Sequence, residues 1–218
     1  MIVFDRVVLR YPYDEFDLLK GASFTLQNGV NTVLADAQSG KTSICKLLLK
    51  DVAPTSGQIF VGGQEISGIT NSNLDILYLP SNPVFFERRS VAYNMEYPLK
   101  VRKVDKSCRR QRASEIATQF GLDLDEKVSR LNAQQRRALA LARGLTVKRK
   151  IALLDDCLDG NRHVEDIARQ FDCCVILTSD VSLATGHTVV LDGGLSVYEG
   201  DADGAQQAVK NLYWLSCQ

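Results

Sequence analysis

Residues 2–11, IVFDRVVLRY, set apolar against charged side chains at the two-residue period of a half-buried strand. Further on, FTLQNGVNTVLA (24–35) places Asn28-Gly29 between two apolar runs. That dipeptide predicts a β-hairpin, because both central positions of the tight turn need positive φ. Val33-Leu34-Ala35 then lead into a loop carrying Gly40, and residues 42–50 put Ile44, Leu47 and Leu48 on one helical face. GQIFVGGQEI (57–66) predicts a second hairpin, and LDILYLP (74–80) a short buried strand stopped by Pro80.

The pattern changes between 84 and 146, where charge and helix formers dominate and the apolar spacing predicts helices around 107–120 and 133–146. IALLDD (151–156), CCVILTSD (173–180) and HTVVLDGGLSVYEG (187–200) restore short strand-like runs. The resulting order predicts an α/β fold: a mainly parallel sheet flanked by helices, with an N-terminal antiparallel β portion. A helical subdomain is inserted at about 84–146. The expected organisation is one domain over 1–218 that carries this subdomain.

Composition adds mostly exclusions. A chain of 218 residues with 45% hydrophobic residues has enough apolar material for a sizeable core. With 26 basic and 26 acidic residues the formal net charge is zero, which does not suggest a general polyanion binder. The six cysteines (Cys45, Cys108, Cys157, Cys173, Cys174 and Cys217) form no CxxC pair, so neither a zinc site nor a disulfide framework is expected. No apolar run approaches the roughly 18 residues of a membrane-spanning helix, and no signal peptide leads the sequence. A cytoplasmic, reducing setting is the expectation.

The stretch LADAQSGKTS (34–43) carries the first chemistry. A phosphate-binding P-loop reads glycine, four residues, then Gly-Lys-Ser/Thr. Gly40, Lys41 and Thr42 satisfy the second half, while Ala35 stands at the first glycine. In such a loop backbone N–H groups and a helix N-terminus face the phosphates, the lysine adds a point charge, and the hydroxyl holds Mg²⁺. The alternative is that Gly40-Lys41 simply opens an ordinary helix.

Other segments choose between these. LRYP (9–12), SVAYNMEYPLKVRKV (90–104), ALALARGL (138–145), IALLDD (151–156) and HTVVLDGGLSVYEGD (187–201) follow one another in a characteristic order and spacing. Together they resemble the nucleotide-binding domain of ATP-binding cassette (ABC) transporters over nearly the whole chain. The resemblance implies a P-loop nucleoside triphosphate hydrolase fold of ABC type, with ATP and Mg²⁺ as cofactors. It implies a membrane-spanning transporter subunit and a second cassette, identical or different, as partners. The chain would then lie peripherally at the inner face of a membrane. No nucleic acid partner is expected.

Carried over residue by residue, Tyr11 would stack on adenine, its alternative being a tyrosine at a strand end. Ala35, Gln38, Ser39, Gly40, Lys41, Thr42 and Ser43 would form the phosphate loop, with Ala35 and Gln38 where the family has glycine. Thr42 and Asp155 would serve the metal. Asp156 stands at the position of the glutamate that polarises the attacking water. It is one methylene shorter, so its oxygens fall back by about 1.5 Å, and losing a positioned base typically costs about 10²- to 10⁴-fold in rate. Ser81 replaces a metal-touching glutamine, and Ser179 a histidine on the terminal phosphate. Leu131, Asn132, Ala133, Gln134 and Gln135 replace the signature Leu-Ser-Gly-Gly-Gln. The segment after Asp156, CLDGNR, is altered as well. These departures imply ATP binding with weak or vestigial hydrolysis, or else a pseudo-ATPase that serves as a structural or regulatory module.

KVRKVDKSCRRQR (100–112) holds seven basic residues against one acid. It reads as a solvated helix face, as a contact for anionic lipid next to a membrane partner, or as a nucleic-acid patch; the last lacks an aromatic platform.

Overall fold

In the computed structural model, which describes residues 1–36, 39–71, 73–157 and 167–216 (213–216 by backbone alone), the chain divides into two compact units. One comprises Met1–Tyr78 with Lys150–Gln218, the other Leu79–Arg149.

The first unit holds two sheets. Strands β1 (Ile2–Leu9), β2 (Leu19–Leu26), β4 (Ser56–Val61) and β5 (Gln64–Glu65) form an antiparallel sheet in the order β2-β1-β4-β5. The alternation read from residues 2–11 survives as buried Ile2, Phe4, Val7 and Leu9, with Phe4 stacked on Phe24 at 4.4 Å. One irregularity interrupts it: Arg6 takes φ 48, its N–H bonds Ser23 Oγ at 2.8 Å, and the register shifts between Phe4 and Val7. Gly57 lies against this bulge, where an added Cβ would stand 2.2 Å from Arg6 O. The predicted second hairpin is present as β4–β5, with Gly62 and Gly63 both at positive φ.

The second sheet has the order β10-β9-β3-β8-β7-β6. Its strands are β3 (Gly29–Ala35), β6 (Ile76–Leu79), β7 (Ile151–Asp155), β8 (Cys173–Thr178), β9 (His187–Asp192) and β10 (Leu195–Gly200). β7, β8, β3 and β9 pair in parallel, and β10 returns antiparallel on β9. Every residue of β8 is buried, as a parallel strand covered on both faces requires. Helix α1 (Lys41–Leu48) follows β3 and buries Ile44, Leu47 and Leu48 in the main core. This is the face the sequence pattern assigns.

The expected hairpin around Asn28-Gly29 is absent. β2 pairs with β1, whereas β3 pairs with β8 and β9, so the turn carries the chain from one sheet to the other. Only Gly29 of the two residues has positive φ, and the turn signal hid a competing demand. Five of the seven residues of β3 are buried, which suits a strand inside a parallel sheet rather than one arm of a half-exposed hairpin. Asn31 fixes the crossing. It is fully buried, accepts the Gln27 N–H at 2.7 Å, and donates to Gln27 O at 2.8 Å, Gly29 O at 3.2 Å and Cys174 O at 3.3 Å.

The second unit contains α2 (Val91–Val101), α3 (Lys106–Gln119) and α4 (Ala133–Leu145), the last two close to the predicted spans. Ser90, Asp105 and Asn132 cap their N-termini by accepting backbone N–H bonds. The basic run crosses from α2 into α3, and much of its charge is spent internally. Arg112 donates to Thr146 O at 2.5 Å and Leu145 O at 3.2 Å, closing the C-terminal end of α4. Arg109 donates to Val104 O at 2.6 Å, and Arg110 pairs with Glu96 and Asp125. Back in the first unit, α5 (Ala202–Ser216) packs Ala205, Ala208, Val209 and Leu212 over Leu34 and Val190. Among the described residues no helix is long and apolar enough to cross a membrane.

The Asn31 bonds predict a stability cost. Asn31→Leu keeps the branched outline of the side chain, at a larger volume, but strands the Gln27 N–H and several carbonyls, so it is expected to lower the unfolding free energy by about 2–3 kcal/mol. Urea denaturation followed by circular dichroism measures it, and a loss below about 0.5 kcal/mol removes the crossing bonds from the account.

Candidate functional site

The site is assembled where β3 and β7 end beneath the start of α1. Gly40 holds the left-handed conformation (φ 95) that turns the loop into the helix, and no side chain caps α1. A Cβ there would stand 3.1 Å from Leu19 Cδ2, so the conformation and the space both favour glycine. The first N–H groups of an α-helix lack intrahelical acceptors. In α1 they face a cavity of about 320 Å³ lined by Leu18, Asp36, Gly40, Lys41, Thr42, Ser43 and Asp156. An anion is the natural complement of that helix end.

Lys41 is 8% exposed, and its ammonium is satisfied from within. It donates to Ala35 O at 2.7 Å and Asp36 O at 3.1 Å, and Asp156 Oδ2 lies 3.8 Å away. Ala35 itself is buried at the end of β3, while Ser39 begins the turn into Gly40 with its N–H on Asp36 O. Gln38 lies outside the described residues.

Thr42 and Asp155 form the second half. Thr42 Oγ1 donates to Asp155 Oδ2 at 2.9 Å, and Tyr78 Oη donates to the same oxygen at 3.1 Å. Asp155 is 2% exposed, so these two donors offset much of the cost of burying a carboxylate. Burial and the neighbouring Asp155 charge push the Tyr78 phenol far above its ordinary range, keeping it a hydrogen-bond donor. A hydroxyl and a carboxylate are hard oxygen donors, the set that suits Mg²⁺ when phosphate oxygens complete its shell. Burial raises the thiol pKa of Cys173 to about 11 and that of Cys174 to about 12, and no cluster of three metal-binding side chains occurs among the described residues.

Tyr11 is half-buried against the core. Its hydroxyl is 3.0 Å from Ser43 Oγ, and Lys46 Nζ stands 5.4 Å from its ring centroid. The tyrosine therefore flanks the first turn of α1, with a cation already against its ring. Asp156 follows Asp155 with φ 46, an uncommon conformation that aspartate tolerates better than most residues. Its N–H donates to Leu177 O at 2.9 Å. Asp156 and Ser179 also share the lining of a second cavity of about 270 Å³, with Leu154, Cys157 and Thr178.

The signature positions belong to the other unit. Leu131 is buried, and Asn132 opens α4. The Asn132 side chain accepts the Gln135 N–H at 2.9 Å, while Gln135 Oε1 accepts the Asn132 N–H at 3.0 Å. This reciprocal capping box employs both residues, leaving Ala133 and Gln134 exposed on the first turn. Ser81 is exposed in the same unit, after β6.

Sequence reasoning passed over Tyr78, which it read only as part of a buried strand. Its signal was available: the phenol is the sole polar side chain in ILYL, the stretch that forms β6. No sequence feature announced that the carbonyls of Ala35 and Asp36 would hold Lys41.

A family model described as ABC transporter matches residues 19–159, more than half of the 218-residue chain. The molybdate/tungstate import ATP-binding protein WtpC of Thermococcus kodakarensis is 30% identical over 147 residues, covering 66% of this chain and 44% of its own length. The Fe(3+) ions import ATP-binding protein FbpC of Mannheimia succiniciproducens is 28% identical over 198 residues, covering 84% of this chain and 56% of its own. The chain thus spans about half the length of these relatives. A bacterial Atm1-family ABC exporter solved with ATP bound superposes with a TM-score of 0.79 at 22% identity, over 95% of this chain and 40% of that one. That likeness bears on the fold. The α/β architecture, the loop-to-helix site and the family match together make this chain a member of the ABC transporter family, built on the P-loop fold of its ATP-binding domain.

Proposed function

We propose that this chain is the ATP-binding subunit of an ABC transporter, binding Mg²⁺-ATP and acting on a separate membrane-spanning subunit, with slow hydrolysis. One observation carries the binding half: the 2.9 Å contact from the exposed Thr42 hydroxyl to the buried Asp155 carboxylate, beside an α1 N-terminus without a side-chain cap. In this reading the N–H groups of α1 and the Lys41 ammonium take the β- and γ-phosphates. Lys41 exchanges part of its bonding to the Ala35 and Asp36 carbonyls for phosphate oxygen. Thr42 and Asp155 hold the metal, which when bound neutralises charge on the phosphates. Tyr11 is the group available to the base, on whichever part of its ring Lys46 leaves open.

The slow-hydrolysis half rests on Asp156. Its short carboxylate lies toward the Lys41 ammonium, where a base serving a water needs to reach past the terminal phosphate. Ser179 supplies a hydroxyl without the reach of an imidazole. The Asp156–Lys41 proximity also favours the second reading, a pseudo-ATPase that binds nucleotide and regulates a partner.

For the partner, the second unit offers an exposed aromatic group. Phe86 is 41% and Tyr97 38% exposed, and Phe86 packs on Tyr97 at 4.6 Å and Tyr93 at 5.3 Å. Contiguous exposed aromatic surface of this kind suits contact with another protein. The names of the relatives as import ATP-binding proteins support a membrane partner, and with it a place at the cytoplasmic face of a membrane. The exposed first turn of α4 suits a second cassette.

Two outcomes are expected. In calorimetry Mg²⁺-ATP binds the wild-type chain, and Lys41→Ala weakens it at least about 30-fold, the effect of removing about 2 kcal/mol of charge-assisted bonding. Equal heats from both chains would leave the loop without its assigned role. In a phosphate-release assay Asp156→Glu speeds turnover by about 10-fold or more. A brisk wild-type rate that this variant leaves unchanged contradicts the impairment.

A further inference from the structure

We infer that Tyr78 is a positioning residue for the metal: its hydroxyl aligns the Asp155 carboxylate that meets Mg²⁺. The inference rests on the reading of the cavity above as a Mg²⁺-nucleotide site and assigns that site a further residue. Two donors from different elements, Thr42 on α1 and Tyr78 on β6, converge on one oxygen, Asp155 Oδ2, at 2.9 and 3.1 Å. Among the described residues Oδ1 receives no hydrogen bond. The two bonds together fix the rotation of the carboxylate, which a single donor would leave loosely defined. Thr42 can give Asp155 only its single hydroxyl proton while its lone pairs are assigned to the metal, so Tyr78 adds a second, independent donor. Tyr78 carries no such second duty.

The support of Tyr78 is rigid. Its ring packs against the main core, so the phenol is carried on a fixed body. Strand β6 is the neighbour of β7 in the sheet, and β7 ends at Asp155. The spacing between tyrosine and carboxylate is thereby set by the sheet rather than by a loop. Partners that orient metal-binding groups in this way typically contribute 10- to 100-fold in metal affinity.

Tyr78→Phe removes the hydroxyl and keeps the ring. The full chain is titrated with Mn²⁺ in the presence of a non-hydrolysable ATP analogue, and unbound Mn²⁺ is read by its electron paramagnetic resonance signal. Analogue affinity in EDTA and the thermal melt are recorded beside it. The expected result is a loss of about 10-fold in Mn²⁺ affinity, the lower end of that range, with metal-free analogue binding and the melt as in wild type. Unchanged Mn²⁺ affinity in the variant overturns the role of Tyr78 and leaves the nucleotide site standing. A variant that loses its cooperative melt or its metal-free binding also overturns it, since the hydroxyl then supports the fold and not the metal. Wild type without metal-dependent binding overturns this inference together with the proposed function.

Discussion

The bond from Thr42 to Asp155 ties the first turn of α1 to the end of β7, and the arrangement of the candidate site depends on it. The two residues are 113 positions apart, so only the sheet brings them together. β3 delivers the loop and α1, β8 separates β3 from β7, and parallel pairing in register puts their C-terminal ends at one edge. Long-range parallel pairing is costly to close, and the fully buried strand β8 supplies the apolar burial that offsets it. The consequence is a carboxylate and a hydroxyl held in contact beside a helix N-terminus, with a lysine tucked beneath the loop.

Much of this was legible in the amino-acid pattern, for physical reasons. The 3.6-residue spacing of Ile44, Leu47 and Leu48 marks a helix whatever surrounds it, and Gly62-Gly63 marks a turn because two positive φ values are needed there. The order of motifs gave the ABC architecture. Asn28-Gly29 misled because a two-residue turn signal is local, while the choice between hairpin and crossing is made by β8 and β9, far along the chain. Asn31, three residues past Asn28, reads as an ordinary polar residue until the crossing buries it.

The candidate site was legible unevenly. Gly40, Lys41, Thr42 and Asp155 belong to a pattern whose chemistry follows from residue type; the structure sets the first three with Asp156 around one cavity and joins Asp155 to Thr42. Tyr78 was hidden by its setting in an apolar strand. The rotation of Lys41 onto backbone carbonyls and the left-handed φ of Asp156 are tertiary outcomes that spacing does not encode. The basic run shows the same limit from the other side: its charges look free in sequence, yet Arg109 and Arg112 are engaged with carbonyls.

The central claim is that the residues gripping a triphosphate persist while those that aim water at it are weakened. The fate of bound nucleotide tests this most directly. The full chain is mixed with Mg²⁺ and ATP, unbound nucleotide is removed by rapid desalting, and the protein-bound fraction is quenched in acid at intervals and resolved by chromatography. The account predicts bound nucleotide that remains mostly intact ATP over many minutes. Protein recovered without nucleotide, or carrying mostly ADP at the earliest interval, would contradict it.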